Sequence, residues 1–475
     1  MDTELGSRIA PLAAAHPGKD GILGFENPVQ SFAARVALAR SAERTLDVQY
    51  YIWHGDTTGM LLLQALREAA ERGVRVRLLL DDNGTRGIDA ELAALDSLEH
   101  MEVRLFNPFR NRRFKSLGYV YDFSRLNRRM HNKSFTADSQ ATMVGGRNVG
   151  DEYFGATTGV LKADLDVMLV GPIVDSVSTD FDGYWASASA YPVAGIVRSL
   201  TPDQRSAVLR TMQGITDSTA AQTYQESINA ATRDFVTSSD ENAFVWAKVR
   251  MVTDDPAKGM GSAKKEGLLV TQLDEILEKP TRSVLLVSPY FVPGKHGTQI
   301  FTDLAKRGVD VRILTNALEA TDVIAVHSGY AKRRKPLLAA GVQLYEMQRQ
   351  SADVRRNKSA GPFGSSASSL HAKTFAVDGS RAFVGSFNLD QRSIHLNTEL
   401  GFVIDSPELA QEIESAFDNG IPESAYEVHL DDNGHLYWLD RHGSEVTRLD
   451  KEPNSGPFKR LAVTMLGWLP IEWLL

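Results

Sequence analysis

The sequence HNKSFTAD at residues 131–138 leads into GGRN at residues 145–148. The same design returns as HAKTFAVD at residues 371–378, which leads into GSFN at residues 385–388. Both copies follow H-x-K-x4-D-x6-G-[G/S]-x-N, with the two histidines 240 residues apart. Three polar residues at one spacing arise easily by chance, but two copies with matching downstream glycine and asparagine do not. The duplication therefore predicts a functional site built from both halves of the chain.

The spacing predicts which side chains act together. Residues i and i+2 of a strand point to the same side, so His131 projects with Lys133. His371 projects with Lys373 in the same way. If the two halves pack about a pseudo-twofold axis, one cleft receives two imidazoles and two ammonium groups. Phosphate is an oxyanion that suits such a cleft.

These residue types support displacement at phosphorus without a metal. Charge on phosphorus oxygens can be stabilised by preorganised donors, which usually dominate catalysis. The donors would be Lys133, Lys373, Asn148 and Asn388. One histidine can attack phosphorus, and the other can protonate the leaving alcohol and then deprotonate the incoming one. We expect a two-step displacement through a phosphohistidine, with no cofactor and no metal ligands.

The duplicated motif resembles the signature of the phospholipase D superfamily. In that family a carboxylate further along the chain orients each catalytic histidine. The resemblance implies that Glu399 holds His371 and that Asp166 holds His131. It also makes His131 the nucleophile and His371 the acid and base, because family members often place the nucleophile in the N-terminal copy. The residues alone leave that order open.

Other residues beside the motifs have structural or binding roles in this interpretation. Asp138 and Asp378 follow their strands, where aspartate commonly caps a turn, so we expect turn or ion-pair roles. Candidate substrate-binding side chains lie within the motifs, in the strands that precede them, or in the stretch AVHSGY: Tyr51, Tyr290, Arg147, Ser386 and His327. For His327, a position on a helix surface is an equal alternative.

Hydrophobic periodicity predicts an α/β fold. A strand at residues 45–53, a helix that Gly73 ends and a strand at residues 74–80 form a βαβ unit. The pattern A-x-R-G-V-x-V-R, at residues 70–77, recurs at residues 305–312 within a second such unit. We expect two pseudo-twofold-related phospholipase D-like halves, each a mixed β-sheet flanked by helices.

Four parts are predicted along the chain. They are an N-terminal half with the first motif (1–195), a helical connector (196–265), a C-terminal half with the second motif (266–420), and a β-hairpin with an apolar tail (421–475). Residues 1–30 are expected to form a polar lead-in, and Thr201 is expected to start a helix. Asn433 and Gly434 suit the turn of the hairpin.

The tail and two basic clusters bear on membrane contact. From Leu461 to Leu475 the tail is apolar with two tryptophans and follows a basic residue, which favours a membrane surface. Its alternative is packing on the core or on a second subunit. Basic residues cluster at 110–129 and 349–358, as a rim for anionic headgroups or as solvated loops.

Composition limits the class of protein. The chain has 475 residues, of which 43% are hydrophobic and 24% charged, as in globular proteins of two or three domains. The net charge of −8 argues against a dedicated nucleic-acid binder, so no nucleic-acid partner is expected. Without cysteine there are no disulfides and no thiolate metal sites. No apolar run reaches 18 residues, so no spanning helix is expected.

Three functions share this chemistry, and they differ in the acceptor or substrate. They are a phosphatidyltransferase, a phospholipase D hydrolase and a phosphodiesterase nuclease. The negative charge and the apolar tail favour lipid over nucleic acid. The stretches DVQYYIW, GGRN, AVHSGY and LPIEW also resemble bacterial cardiolipin synthases, particularly the C-type branch.

This resemblance implies that a phosphatidyl group moves from phosphatidylethanolamine or phosphatidylglycerol to phosphatidylglycerol. The partners would be anionic and zwitterionic phospholipids. The enzyme would associate peripherally with a bacterial inner membrane. The hydrolase and the nuclease stay alternatives.

Overall fold

Helices and strands alternate along most of the chain. The computed structural model describes residues 2–157, 161–238, 243–277, 279–349 and 368–475, so Arg355, Arg356 and Lys358 of the second basic cluster lie outside the described residues. The strands are β1 (Asp20–Phe25), β2 (Thr45–Ile52), β3 (Arg75–Gly84), β4 (Met101–Phe106), β5 (Ser134–Ala137), β6 (Ala141–Gly145), β7 (Leu161–Ala163), β8 (Asp166–Val170), β9 (Ala190–Pro192), β10 (Val245–Thr253), β11 (Ser283–Val287), β12 (Asp310–Asn316), β13 (Gln343–Met347), β14 (Ser368–Leu370), β15 (Thr374–Val377), β16 (Arg381–Gly385), β17 (Leu400–Asp405), β18 (Ala425–Leu430), β19 (Leu436–His442) and β20 (Glu445–Leu449).

The helices follow the same chain order. They are α1 (Glu4–Ala15), α2 (Pro28–Ser41), α3 (Thr57–Glu71), α4 (Asp89–Leu95), α5 (Gly118–Tyr121), α6 (Phe123–Leu126), α7 (Asp151–Phe154), α8 (Ile173–Trp185), α9 (Pro202–Thr216), α10 (Thr219–Ser238), α11 (Leu269–Leu277), α12 (Gly294–Lys306), α13 (Ile324–Ala331), α14 (Arg334–Ala339), α15 (Gln391–His395), α16 (Pro407–Ser415), α17 (Ile421–Ser424) and α18 (Pro457–Trp468).

The chain divides into two compact units, and each takes in a short segment from a distant part of the sequence. Unit 1 comprises Met1–Thr157, Asp166–Gln272 and Leu396–Phe402. Unit 2 comprises Thr158–Leu165, Leu273–His395 and Val403–Leu475. These units differ from the four predicted parts, because residues 196–265 belong to unit 1 and two short segments change units. The four-part division itself stays a prediction.

Unit 1 contains a mixed sheet in the order β10–β1–β8–β6–β5–β2–β3–β4–β9. Strands β2, β3 and β4 run parallel, and the other pairings are antiparallel. Helix α3 connects β2 to β3, as the βαβ pattern predicts. Gly73 adopts a φ of 93° just after α3, a conformation that glycine reaches without strain.

The core of unit 1 lies between its sheet and the helices that cover it. Leu46 and Val48 of β2 pack with Leu62 and Leu66 of α3, and all four side chains are buried. Helices α9 and α10 join the same core through Met212, Tyr224 and Ile228. The predicted connector is therefore part of the unit 1 core. Its helix α9 starts at Thr201 with a capping box, as the sequence predicts.

Unit 2 repeats the central arrangement. Its sheet has the order β16–β15–β11–β12–β13–β18–β19–β20, with β11, β12 and β13 parallel. Gly308 follows α12 with a φ of 86°. Strands β18 and β19 form a hairpin, and Gly434 in its turn has a φ of 73°. The predicted mixed sheet flanked by helices is confirmed in each unit.

Both ends of the chain are more ordered than the sequence predicts. The expected lead-in contains α1, which the Thr3 side chain caps through the Gly6 N–H, and β1. The tail forms α18, which packs on α13 of unit 2 with Val463 buried. Among the described residues, no helix has the length and apolar character needed to cross a membrane.

Candidate active site

The two motifs occupy equivalent places in their sheets. Strand β5 follows Lys133 and lies between β2 and β6, and strand β15 follows Lys373 and lies between β11 and β16. The histidine and lysine of each motif therefore precede the strand, whereas the sequence pattern placed them within it. The two side chains of a pair are still close, because each lysine donates to the backbone carbonyl of the histidine two residues before it.

In unit 1, His131 forms a buried pair with a carboxylate. Its Nδ1 lies 2.8 Å from Oε2 of Glu399, and both side chains are almost fully buried. The Tyr51 ring meets the imidazole edge-on, with 4.9 Å between ring centroids. The Lys133 ammonium lies 5.6 Å from the Tyr51 ring centroid. Imidazole, ammonium and phenol thus meet at the start of β5.

In unit 2, His371 is held by a different type of carboxylate. Its Nδ1 lies 2.5 Å from Oδ2 of Asp164, whose side chain is fully buried. The Lys373 ammonium lies 3.0 Å from the same ring nitrogen. Because the carboxylate engages Nδ1 in both units, Nε2 is the ring nitrogen on the side away from the carboxylate.

These pairings correct the assignment made from sequence order. Glu399 was assigned to His371 but lies against His131. Asp166 was assigned to His131, but its carboxylate accepts hydrogen bonds from Ser31 and Arg35 inside unit 1. The partner of His371 is Asp164, two residues earlier.

Backbone pairing explains the exchange. The His131 N–H donates to the Thr398 carbonyl, and the Thr398 N–H donates to the Arg129 carbonyl, so residue 399 is brought to the first motif. Strand β7 pairs in parallel with β14, and the His371 N–H donates to the Ala163 carbonyl. Each short segment therefore delivers the carboxylate for the motif of the unit it joins.

Asp322 is close enough to His371 for their charges to interact, and it has two further partners. The Tyr290 hydroxyl donates to Oδ1 of Asp322 at 2.7 Å, and the Lys162 ammonium lies 3.0 Å from Oδ2. Burial alone would raise the pKa of Asp322, but Lys162, Tyr290 and the charge of His371 together lower it. Asp322 was not found from sequence, since an isolated aspartate after β12 carries no motif.

Each motif asparagine contains a buried polar atom with no hydrogen-bond partner among the described residues. Oδ1 of Asn148 accepts the Ile52 N–H at 3.2 Å, and its Nδ2 has no partner among the described residues. Oδ1 of Asn388 likewise has none within the described part of the chain. A buried unsatisfied polar group costs about 1–3 kcal/mol. Atoms of this kind are suited to a ligand, and Asn148 Nδ2 can donate to a phosphoryl oxygen.

Asp138 and Asp378 have equivalent turn positions. Asp138 accepts backbone N–H groups from residues 43–45, and Asp378 accepts those from residues 281–283. Both have positive φ angles, 52° and 54°. Burial raises the pKa of Asp378, but the backbone donors outweigh it and lower the pKa below its usual value. Each aspartate thus ties the end of its motif strand to the start of the neighbouring strand.

Two of the predicted substrate-binding residues have structural positions instead. Arg147 is buried, donates to the carbonyls of Phe25 and Glu26, and pairs with Asp166 at 3.3 Å. His327 is buried in unit 2, with its Nε2 3.1 Å from Glu452. Within the patterns GGRN and AVHSGY, Arg147 and His327 therefore contribute to packing. Tyr51 contacts the His131 ring, and Tyr290 donates to Asp322. Ser386 is buried within the second motif.

Known proteins share this duplicated arrangement. A family model described as "Cardiolipin synthase, PLD-like domain" matches residues 36–185 and 273–421. The chain is 46% identical to "Cardiolipin synthase C" of Escherichia coli K12 over 473 residues, which cover 99% of both chains. It is 26% identical to "Cardiolipin synthase A" of Pseudomonas putida W619, over 88% of this chain and 72% of that one.

The chain belongs to the cardiolipin synthase family of phospholipase D-like proteins. Both family matches contain a complete motif, and the chain is a phosphatidyltransferase of the phospholipase D type. A crystal structure of phosphatidylserine synthase from Haemophilus influenzae Rd KW20 has a TM-score of 0.61 at 13% identity. It covers 98% of this chain and 100% of that chain, and it shows the fold alone.

One group in this family member has the residue types and spacing of metal ligands, and its side chains also form hydrogen bonds within the protein. His54, Asp56 and Glu152 place ligand atoms within 4.8 Å of one another. The two oxygens of Asp56 already accept backbone N–H groups from Gly59 and Asp151. The hydrogen bond to Glu152 raises the pKa of His54, as expected for an imidazolium–carboxylate pair.

Asp254 supports the first histidine pair, and no sequence motif marks it. Its Oδ2 accepts the Glu399 N–H at 3.0 Å and the Lys258 ammonium at 2.9 Å, and its Oδ1 accepts the Leu269 N–H at 2.9 Å. The pKa of Asp254 is raised to about 6, because burial and the charge of Glu399, which raise it, outweigh Lys258 and the Leu269 N–H, which lower it. We interpret Asp254 as a positioning residue that acts on His131 through Glu399.

Asp254→Asn should therefore lower kcat by about tenfold with little change in KM, as is typical when a supporting hydrogen bond behind a catalytic group is altered. The acid limb of the pH–rate profile should move to lower pH, because one negative charge beside the Glu399–His131 pair is removed. Both effects are measured from turnover of a soluble phosphodiester between pH 5 and 9.

Asp255→Asn is the matched control, since Asp255 is the next residue and, among the described residues, its carboxylate caps a turn by accepting the Ala257 N–H. It should leave the profile unchanged. Equal profiles for both variants, with equal free energies of unfolding, would show that Asp254 has no part in positioning.

Proposed function

We propose that this phosphatidyltransferase makes cardiolipin at a membrane surface. The phosphatidyl donor is phosphatidylethanolamine or phosphatidylglycerol, and the acceptor is the free hydroxyl of another phosphatidylglycerol. The observation that carries the proposal is the pair of buried histidine–carboxylate contacts, each with a motif lysine, in a chain that is 46% identical along its length to Escherichia coli Cardiolipin synthase C. The substrates are phospholipids, and the enzyme is membrane-associated.

The reaction proceeds in two balanced steps. Nε2 of His131 attacks phosphorus, and the bond to the departing ethanolamine or glycerol oxygen breaks as His371 gives that oxygen a proton. The acceptor hydroxyl then gives its proton to His371 and attacks phosphorus, and the phosphorus–nitrogen bond breaks. Glu399 stabilises the positive charge that forms on His131, in the manner of the carboxylate in a catalytic triad.

The lysines and asparagines stabilise the phosphoryl oxygens. Lys133 and Lys373 are buried cations adjoining their histidines, so they can offset charge as it develops on phosphorus. Nδ2 of Asn148 adds a donor that no described residue uses. The acceptor hydroxyl of phosphatidylglycerol competes with water for the phosphohistidine. Whether the enzyme transfers or hydrolyses the phosphatidyl group therefore depends on which of the two reaches it.

The roles of the histidines are separable by the leaving group. His131→Ala and His371→Ala should each lower lipid turnover by about a thousandfold or more, because each removes a step of the chemistry. A p-nitrophenyl phosphodiester needs no proton on departure. Its first turnover should therefore persist in His371→Ala and vanish in His131→Ala, as measured by release of p-nitrophenol.

Circular dichroism provides the control that both variants remain folded. A burst of p-nitrophenol from His131→Ala but none from His371→Ala would reverse the two roles. Near wild-type lipid turnover in either variant would exclude the two-histidine mechanism.

Lipid mass spectrometry tests the product. The purified protein is incubated with phosphatidylglycerol, with and without phosphatidylethanolamine, and cardiolipin is the expected product. A requirement for phosphatidylethanolamine identifies the donor. Phosphatidic acid alone would make the enzyme a hydrolase, and cleavage of single-stranded DNA without lipid change would make it a nuclease.

Helix α18 is the proposed membrane contact in unit 2. One side of α18 packs on α13 of unit 2. After the helix, Glu472 pairs with Arg333 at 2.7 Å and the Leu475 carbonyl accepts the Arg392 N–H. Other apolar side chains of this tail are exposed: Phe458, Leu461, Met465, Trp468 and Leu469. Exposed aromatic and aliphatic side chains on a helix suit the interface of a bilayer, with peripheral association at a bacterial inner membrane.

Phe458→Ser and Trp468→Ser should weaken binding to phospholipid vesicles by about tenfold each, since a large apolar side chain is lost from the interface. These side chains are 87% and 81% exposed, so the fold should be unaffected. Vesicle co-sedimentation gives the affinity, and hydrolysis of a soluble phosphodiester should not change. Loss of soluble activity together with vesicle binding would instead show that the tail serves the core.

A further inference from the structure

Unit 1 presents a second apolar surface, far from the tail in sequence. Its side chains come from the turn at Lys115–Leu117, from the two short helices α5 and α6, and from the residue before the turn. They are at least 45% exposed, and Val120 reaches 85%. We call these five residues the outer row: Phe114, Leu117, Val120, Tyr121 and Phe123. Five large apolar side chains within ten residues form an unusual surface for a protein in water.

The outer row is held on a packed base. The rings of Phe109 and Tyr119 meet edge-on with centroids 5.5 Å apart, and Phe109 and Leu126 are buried. Gly118 fits between Leu126 and Phe109, since a Cβ on residue 118 would lie 2.7 Å from the first side chain and 3.1 Å from the second. The exposed side chains are therefore displayed by a folded element with its own small core.

Charge complements the apolar surface. Residues 108–129 contain seven basic residues and a single acidic one, in a chain whose net charge is −8. That acidic residue, Asp122, is paired with Arg125 at 2.7 Å. Arg110 and Arg113 are exposed, and neither forms an ion pair with any residue the structure describes. Cations beside exposed aromatic and aliphatic side chains fit anionic headgroups above an acyl layer.

Two adjacent carboxylates of β3 connect this surface to the first motif. Asp82 accepts the Phe109 N–H at 2.7 Å and pairs with Lys115 at 3.0 Å and with Arg112. Asp81 accepts the Met130 N–H at 2.8 Å and pairs with Arg129. Arg129 and Met130 are the two residues that precede His131. The element that carries the outer row and the residues that lead into the catalytic histidine are thus fixed to the same strand end.

We infer that the outer row, with Arg110 and Arg113, enters the headgroup region of an anionic phospholipid bilayer and holds unit 1 on the surface from which its substrate comes. The inference rests on the phospholipid substrate class of the proposed function and is independent of the donor lipid. It assigns unit 1 a membrane contact of its own, in addition to the proposed contact of α18 in unit 2.

The chain has no cysteine, so a single introduced thiol can be labelled cleanly. Val120→Cys carries an environment-sensitive NBD fluorophore, and the enzyme is mixed with vesicles of equal parts phosphatidylglycerol and phosphatidylcholine. We expect a blue shift of the emission and quenching by lipids with a spin label near the headgroup. Val446→Cys is the matched control, because Val446 is also exposed (46%) but lies in β20. Its label should stay in water.

Matched substitutions test the energetics. Val120→Asp should weaken vesicle affinity about tenfold, because an apolar side chain that enters the bilayer is lost. Val446→Asp should leave vesicle affinity unchanged. Arg113→Gln should weaken vesicle binding at low salt. Arg210 is an exposed arginine of α9, and Arg210→Gln should leave vesicle binding unchanged. Hydrolysis of a soluble phosphodiester should be unchanged in all four variants.

An unshifted label at position 120 on vesicle-bound enzyme would overturn the inference, as would equal affinities for Val120→Asp and Val446→Asp. A smaller particle mass for Val120→Asp in light scattering, with vesicle affinity unchanged, would assign the surface to a second copy of the chain instead. Cardiolipin formation by the unmodified enzyme is assayed separately. Its presence with an unshifted label overturns only this inference, and its absence with a shifted label overturns only the proposed function.

Discussion

The contact between each motif histidine and a buried carboxylate is the interaction on which the rest of the site depends. Glu399 and Asp164 are fully buried, and a buried carboxylate costs several kcal/mol unless an opposite charge or strong donor compensates it. The histidine Nδ1 contributes to that compensation, and in return the orientation of its ring is fixed. Removing either partner takes this hydrogen bond from the other, so the pair functions as a unit.

The exchanged segments make this contact a constraint on the whole fold. Residues 396–402 belong to unit 1 and deliver Glu399, and β7 in unit 2 precedes Asp164. Each motif therefore needs a part of the sequence that lies outside its own half. Each histidine–carboxylate pair therefore forms only when its short segment joins the unit that contains the histidine.

Much of the fold could be predicted from sequence because local patterns determine it. The βαβ units follow from hydrophobic periodicity and from Gly73 and Gly308, and the structure has both. The motif side chains follow from duplication. The carboxylate partners could not be predicted, because sequence order does not say which unit a short segment joins. Asp164 and Asp166 are two residues apart, yet the chain passes from unit 2 to unit 1 between them.

The remaining errors have related physical causes. Arg147 lies inside a duplicated motif, but its side chain is used to bind carbonyls and Asp166, which only the packed structure reveals. Asp254 acts through the backbone N–H of Glu399, 145 residues away in sequence, and no local pattern predicts such a contact. The exposed surface at residues 114–123 is hidden in the sequence, because only packing decides that Tyr119 contacts Phe109 while its neighbour Val120 is exposed.

Histidine NMR tests the exchange of carboxylates most directly. The eleven histidines are labelled with ¹⁵N, and the rings of His131 and His371 are identified from the spectra of the two alanine variants. Glu399→Gln should shift the ring resonances of His131 and leave those of His371 in place, while Asp164→Asn should do the reverse. A shift of His371 by Glu399→Gln, with His131 unmoved, would contradict the account.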